Sequence, residues 1–338
     1  MSISMSEASR RSLAALQGLS LGDALGMPTQ SMSPDQTAAA YGSIRTLRDA
    51  VAYQPIAPSM PAGSVTDDTE QALVVSHLLI EGKGHMAPRS FAEALLAWED
   101  DMIARGSLDL LGPSTKSALE RVRNGEDPTT TGTLGTTNGA AMRVTPVGIA
   151  NDVTVAERFT EAVYESCLVT HDTFQGWESA LLVAAAVSFG INGEQTHEAI
   201  AKALDFVQRA PRHGVWSAKA SVLARARQAL DVTRAASRES FADVVRDYVG
   251  TSVDATESIP AAFCICEAYA ENPFEGLCVA ANLGGDTDTI AAIAGAILGA
   301  SSGPEAFPHA QLERVSAVSG LELASVSEQL VELRYARI

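Results

Sequence analysis

The chain has 338 residues, 46% of them hydrophobic but only 5% aromatic, and 24 Lys and Arg against 41 Asp and Glu give a formal net charge of −17. That balance suits closely packed helices better than a sheet, which would draw more on Val, Ile, Tyr and Phe. The acidic balance argues against nucleic acid as a partner, since affinity for phosphate backbones comes mainly from Lys and Arg.

Arg10 and Arg11 near the N-terminus are not followed by a clean apolar core, because Gln17 and Asp23 interrupt it, so no signal peptide is expected. The longest apolar run, 290–300, is too short to span a bilayer, and no membrane partner is expected. Cys167, Cys264, Cys266 and Cys278 lack metal-finger spacing and read as reduced, mostly buried thiols of a cytoplasmic protein.

Apolar spacing and end signals predict helices at 6–25, 66–80, 91–103, 114–122, 155–170, 177–189, 197–208, 217–236, 240–249, 259–270, 274–281 and 288–300, then a C-terminal pair. Few stretches alternate, so the expectation is an all-α fold, one domain over 1–338. Two long stretches read as irregular: 28–64, with Pro34, Pro55, Pro58 and Pro61, and 124–141. Loops of that length inside a compact domain are usually functional.

Gly18, Gly22 and Gly26 recur every fourth residue in the first predicted helix, as do Gly295 and Gly299 in the 288–300 helix. An interior Gly costs about 1 kcal/mol relative to Ala, and close helix contact is the expected compensation. Asp23, between two of these glycines, reads as a structural hydrogen-bonding residue.

Two acidic signatures carry the chemistry. In "SVTDDTEQAL" Thr66 precedes Asp67 and Asp68; in "GGDTDTIAAIAG" Asp286 and Asp288 precede Thr289. Each alone is explained as a helix start, with a capping residue and acidic side chains facing the positive end of the helix dipole. As a pair they place four carboxylates and hydroxyls at the first turns of two otherwise apolar helices. If those N-termini converge, two divalent cations would neutralise them, and oxygen-only ligands favour Mg²⁺ or Mn²⁺ over zinc.

The small-residue loop "GTLGTTNGAAMR" leads into Arg143, and its Thr136, Thr137, Asn138, Gly139 and Ala140 are candidate contacts to an anion or sugar. His171 lies in "LVTHDTFQG", between two predicted helices. It is read either as a hydrogen-bonded structural residue or as part of a site.

The pieces "GLSLGDALGMP", "TDDTEQAL", "GPSTKSAL", "TTNGAAMRVTPVG", "THDTFQGWESALLVAAAV" and "GGDTDTIAAIAGAILGA" occur in this order from Gly18 to Gly303. Together they resemble the ADP-ribosylglycohydrolase family, of the dinitrogenase-reductase-activating glycohydrolase type. The resemblance implies a compact multi-helix fold with a dinuclear Mg²⁺ or Mn²⁺ site at converging helix N-termini. Its ligands would be Thr66, Asp67, Asp68, Asp286, Asp288 and Thr289. Asn138, Gly139, Ala140 and His171 would contact ADP-ribose.

It further implies a hydrolase that cleaves the anomeric bond of an ADP-ribosyl group on a protein side chain, arginine or serine, or on a small conjugate. Many members carry a glutamate a few residues after the GDALG motif, where this chain has Gln30. Gln keeps an acceptor oxygen but takes no proton. The base then falls to Asp67 or Asp68, or the substrate differs. A nucleoside or other N-ribosyl hydrolase and a non-catalytic ADP-ribose binder are the alternatives.

Overall fold

The computed structural model describes residues 3–106 and 111–336. Among them the regular structure is helical, with no strand and two isolated β-bridges, Thr137 with Asp254 and Thr173 with Val215. The first helices are α1 (Met5–Gly26), α2 (Pro34–Tyr41), α3 (Asp67–Glu81), α4 (Pro88–Ala104) and α5 (Pro113–Arg123). Two short pieces, α6 (Gly139–Met142) and α7 (Thr145–Ala150), lead into α8 (Ala156–Leu168), α9 (Phe174–Ile191) and α10 (Thr196–Arg209). Then come α11 (Val222–Arg234), α12 (Phe241–Val244), α13 (Ala255–Ala268) and α14 (Pro273–Ala281). The last are α15 (Thr287–Ser302), α16 (His309–Ser319) and α17 (Leu323–Ala336).

The core is built around α9 and α15, which are buried on nearly every face. A helix apolar all round belongs in an interior or a membrane. By length and composition α9 would cross a bilayer, but 89% of it is buried inside this fold. All four cysteines are free and buried, as expected.

The glycine stripes pack α1 against α15 in antiparallel sense. A Cβ added at Gly18 would lie 2.1 Å from the Gly295 carbonyl oxygen, and one at Gly26 would lie 2.4 Å from the Asp288 Cα. Backbone therefore meets backbone along the whole seam, and the C-terminal end of α1 is set beside the N-terminal end of α15.

The structure departs from the predicted elements at several places: α6 starts inside the stretch 124–141 predicted as irregular, α7 lies outside every predicted helix, and three further differences follow. The stretch 28–64 contains α2, started by a capping box between Ser33 and Gln36 with Pro34 in the first turn. Residues 217–221, predicted to open a helix, form a strap instead. Ser217 donates to Gln175 Oε1 at 2.8 Å, and Gln175 Nε2 donates back to the Lys219 carbonyl at 3.0 Å. Finally, α13 begins at Ala255 rather than 259, with Pro260 inside it. Proline cannot bond the carbonyl four residues back, and Arg225 Nε lies 3.5 Å from that oxygen, on Thr256.

Candidate metal centre

The start of α3 is capped from another helix. Thr66 stands at the N-cap position without using its side chain as a cap. Asp23 of α1 does the work: its carboxylate accepts the Thr66 N–H at 3.0 Å, the Thr66 hydroxyl at 2.8 Å, the Thr69 N–H at 3.2 Å and the Thr69 hydroxyl at 2.6 Å. The expected structural role of Asp23 is thus met. Asp286, at the N-cap of α15, also makes no side-chain cap bond. Helix capping by their own residues therefore does not account for either acidic signature.

With α3 pinned to α1, and α1 packed on α15, the two signatures come together. Thr289 of α15 donates to Asp68 Oδ2 of α3 at 3.2 Å, and the Thr66 hydroxyl, whose proton goes to Asp23, lies 3.3 Å from the same oxygen. Asp67, Asp68, Asp286 and Asp288 are all at most 5% exposed. Asp68 Oδ1 and both oxygens of Asp288 are buried without a hydrogen-bond partner.

Burial pushes the carboxyls of Asp67, Asp68 and Asp288 well above the ordinary carboxylate range, and the neighbouring aspartates push them further. Asp286 is pushed up to about 6 by burial, against the hydrogen bonds from Asn138 and Thr289. Among the described residues, no three His, Cys, Asp or Glu side chains stand as a ready-made metal cluster. The donor chemistry nonetheless suits a hard divalent cation: oxygen only, buried and uncompensated.

A cleft of about 130 Å³ opens beside this cluster, lined by Gln30, Asp67, Thr137, Asn138, Asp286 and Thr289, with Ile56, Pro113 and Val253 adding apolar surface. That is below the roughly 300–1,000 Å³ of sites that enclose a drug-sized ligand. A larger cavity of about 950 Å³, lined by Thr160, Tyr164, Phe206 and His213, carries none of the signature residues. The irregular stretch 28–64 reaches the cleft through Gln30, Ser31 and Ile56.

The predicted loop lies opposite the α3 start. Asn138 Nδ2 donates to Asp286 at 2.5 Å and to Ser258 at 2.9 Å, and its N–H bonds the Val253 carbonyl at 3.0 Å. Thr137 and Gly139 line the cleft, whereas Thr136 and Ala140 do not. Thr136 bonds Ala255 through its carbonyl, and Ala140 is buried in α6. His171 is fully buried behind the loop, with Nε2 at 2.9 Å from the Thr137 hydroxyl and Nδ1 at 2.8 Å from that of Thr170. Burial, with Arg143 nearby, holds the imidazole well below its ordinary range.

Two supporting residues escaped the sequence reading. Gln71 donates to Asp67 Oδ2 at 3.1 Å, and its position four residues after Asp67, on the same helix face, was the available signal. Ser258 reaches Asn138 from α13, with no local signal to mark it.

The family model for ADP-ribosylglycohydrolase matches residues 5–337. The chain is 31% identical over 328 residues to the uncharacterized protein YegU of Escherichia coli (strain K12), covering 97% of this chain and 98% of that protein. It is 26% identical over 316 residues to the ADP-ribosylarginine hydrolase Tri1 of Pseudomonas putida (strain GB-1), covering 90% and 74%. Its fold is that of a solved ADP-ribosylglycohydrolase-related protein complex, with a TM-score of 0.71 at 23% identity over 97% and 99% of the two chains.

Proposed function

The chain belongs to the ADP-ribosylglycohydrolase family, and on that premise we propose that it releases ADP-ribose from a modified side chain or small conjugate with the help of divalent cations. Named members of the family, an ADP-ribosylarginine hydrolase among them, are hydrolases acting on bonds to ADP-ribose, and this chain is a hydrolase of that family. The likeness to an ADP-ribosylarginine hydrolase favours arginine as the linkage. The observation that carries the reading is the buried carboxylate cluster at the cleft, with three partnerless oxygens on Asp68 and Asp288.

Thr66, Asp67, Asp68, Asp286, Asp288 and Thr289 would hold two cations, Mg²⁺ or Mn²⁺. When bound, these ions supply positive charge that favours the ionised carboxylates and orients oxygen ligands. Asp67 lines the cleft and has Oδ2 tied by Gln71, which leaves Oδ1 to take the proton of an attacking water. That water's oxygen joins the anomeric carbon as the bond to the leaving group breaks. Asn138 keeps Asp286 in place from the other wall, and Gln30 serves only as a hydrogen-bonding side chain. The cleft admits the ribosyl end of the substrate, and the rest of the nucleotide lies outside.

The small cleft and Gln30 favour one further reading, an N-ribosyl hydrolase acting on nucleosides. Incubating the protein with an ADP-ribosyl-arginine peptide, an ADP-ribosyl-serine peptide and nucleosides separates the two. The proposal expects free ADP-ribose from a peptide with Mg²⁺ or Mn²⁺ and none with chelator; ribose from nucleosides alone would replace it with the second reading.

A further inference from the structure

At the centre of the buried polar network stands Arg143, fully buried in the segment that joins α6 to α7. Its Nη1 donates to Gln71 Oε1 at 2.8 Å, and its Nη2 donates to the Thr170 hydroxyl. A guanidinium only donates, so it fixes the direction of every bond that follows. Gln71 must turn its carbonyl to Arg143 and its NH₂ to Asp67. Thr170 must accept from Arg143.

Thr170 then has one proton to place, and among the described residues the only other group at its hydroxyl is His171 Nδ1. If Nδ1 carried the proton instead, the Thr170 proton would be buried without an acceptor, which is costly. Nδ1 therefore accepts, the imidazole hydrogen sits on Nε2, and Nε2–H donates to the Thr137 hydroxyl. Thr137 lines the cleft, and its own proton has no other partner among the described residues. Gly139 makes room for the ring, since a Cβ there would lie 2.8 Å from His171 Cε1.

We propose that Arg143 is a positioning residue that sets the tautomer of His171, so that Thr137 presents a hydroxyl proton to an oxygen of the ribosyl group that enters the cleft. This rests on the ADP-ribosyl reading of the site. It extends that reading by giving Thr137 the role of donor and Arg143 the role of fixing it. The buried imidazole stays neutral, as donation through Nε2 with acceptance at Nδ1 requires.

The wiring is read first in the unmodified protein labelled with ¹⁵N-histidine, by long-range ¹H–¹⁵N correlation, with His171→Gln to assign the signal. The expected result is a neutral ring protonated at Nε2, and loss of that preference in Thr170→Val. A ring protonated at Nδ1 in the unmodified protein overturns the proposal. Binding of ADP-ribose in Mg²⁺ is then measured by calorimetry. Thr137→Val weakens it about tenfold, the scale of one hydrogen bond, and Thr137→Ser restores it. Equal binding by Thr137→Val and the unmodified protein overturns the donor role. If the unmodified protein binds no ADP-ribose, the functional reading falls, and the tautomer still decides the role of Arg143.

Discussion

Gly22 of α1 and Ala291 of α15 meet backbone to backbone: a Cβ at Gly22 would lie 2.0 Å from the Ala291 carbonyl oxygen. This contact puts Asp23, the next residue, beside the start of α3, and Asp288 beside the end of α1. Gly22→Ala separates two opposing effects. Helix propensity alone would stabilise the variant by about 1 kcal/mol, whereas forcing the helices apart destabilises it by about 3 kcal/mol. Denaturant unfolding is expected to show a net loss near 2 kcal/mol; a gain would mean that the seam is not tight.

Asp23 is the cap of α3, so Asp23→Ala leaves four donor groups of Thr66 and Thr69 without their acceptor. The expected cost is about 2–3 kcal/mol, read from the unfolding midpoint. Cation binding should weaken as well, because the α3 carboxylates lose their anchor. A variant as stable as the parent would return the capping role to Thr66.

Asp288 has both carboxylate oxygens buried and partnerless. In chelator, Asp288→Asn is expected to unfold at no lower temperature than the parent, since it removes only an unpaired acid. The parent gains about 2.7 kcal/mol from a cation at a hundred times its dissociation constant, and the variant gains none. Thermal shifts with and without Mn²⁺ check both halves, and a full cation shift in the variant would remove Asp288 from the ligand set.

Acidity should compete with the cations. Asp286 and Asp23 are pushed up to about 6, and Asp67, Asp68 and Asp288 are raised well above the ordinary range, by burial first. Folded pKa values above the unfolded ones contribute stability that is full at low pH and is lost as pH rises through the folded values. Without metal, this cluster therefore favours the fold at pH 5.5 over pH 7.5. Cations must displace those protons, so the thermal shift given by Mn²⁺ is expected to be larger at pH 7.5 than at 5.5. Equal shifts at the two values would show that the carboxylates are ionised without metal.

The juxtaposition of the two acidic signatures was legible in the sequence, because both open apolar helices and the glycine spacing demanded a close helix contact. What stayed hidden depends on contacts between distant segments. Local chemistry assigns the cap of α3 to Thr66, yet the acceptor comes from Asp23, 43 residues earlier. Residues 217–221 continue a helical pattern but are held by Gln175 across the fold. The start of α2 is different: Ser33, Pro34 and Gln36 form a recognisable helix start, masked by the other prolines of 28–64. His171 carried two readings, and its bonds to Thr137 and Thr170 join them, since it is a buried structural residue that orients a group lining the cleft.

The central claim is that the carboxylate cluster is a divalent-cation site. Its most direct test is Mn²⁺ titration of the metal-free protein at pH 7.5, with bound ion followed by electron paramagnetic resonance. Two Mn²⁺ per chain are expected, released by chelator and lost in Asp288→Asn. No Mn²⁺ bound, or the same binding in the variant, would contradict the claim.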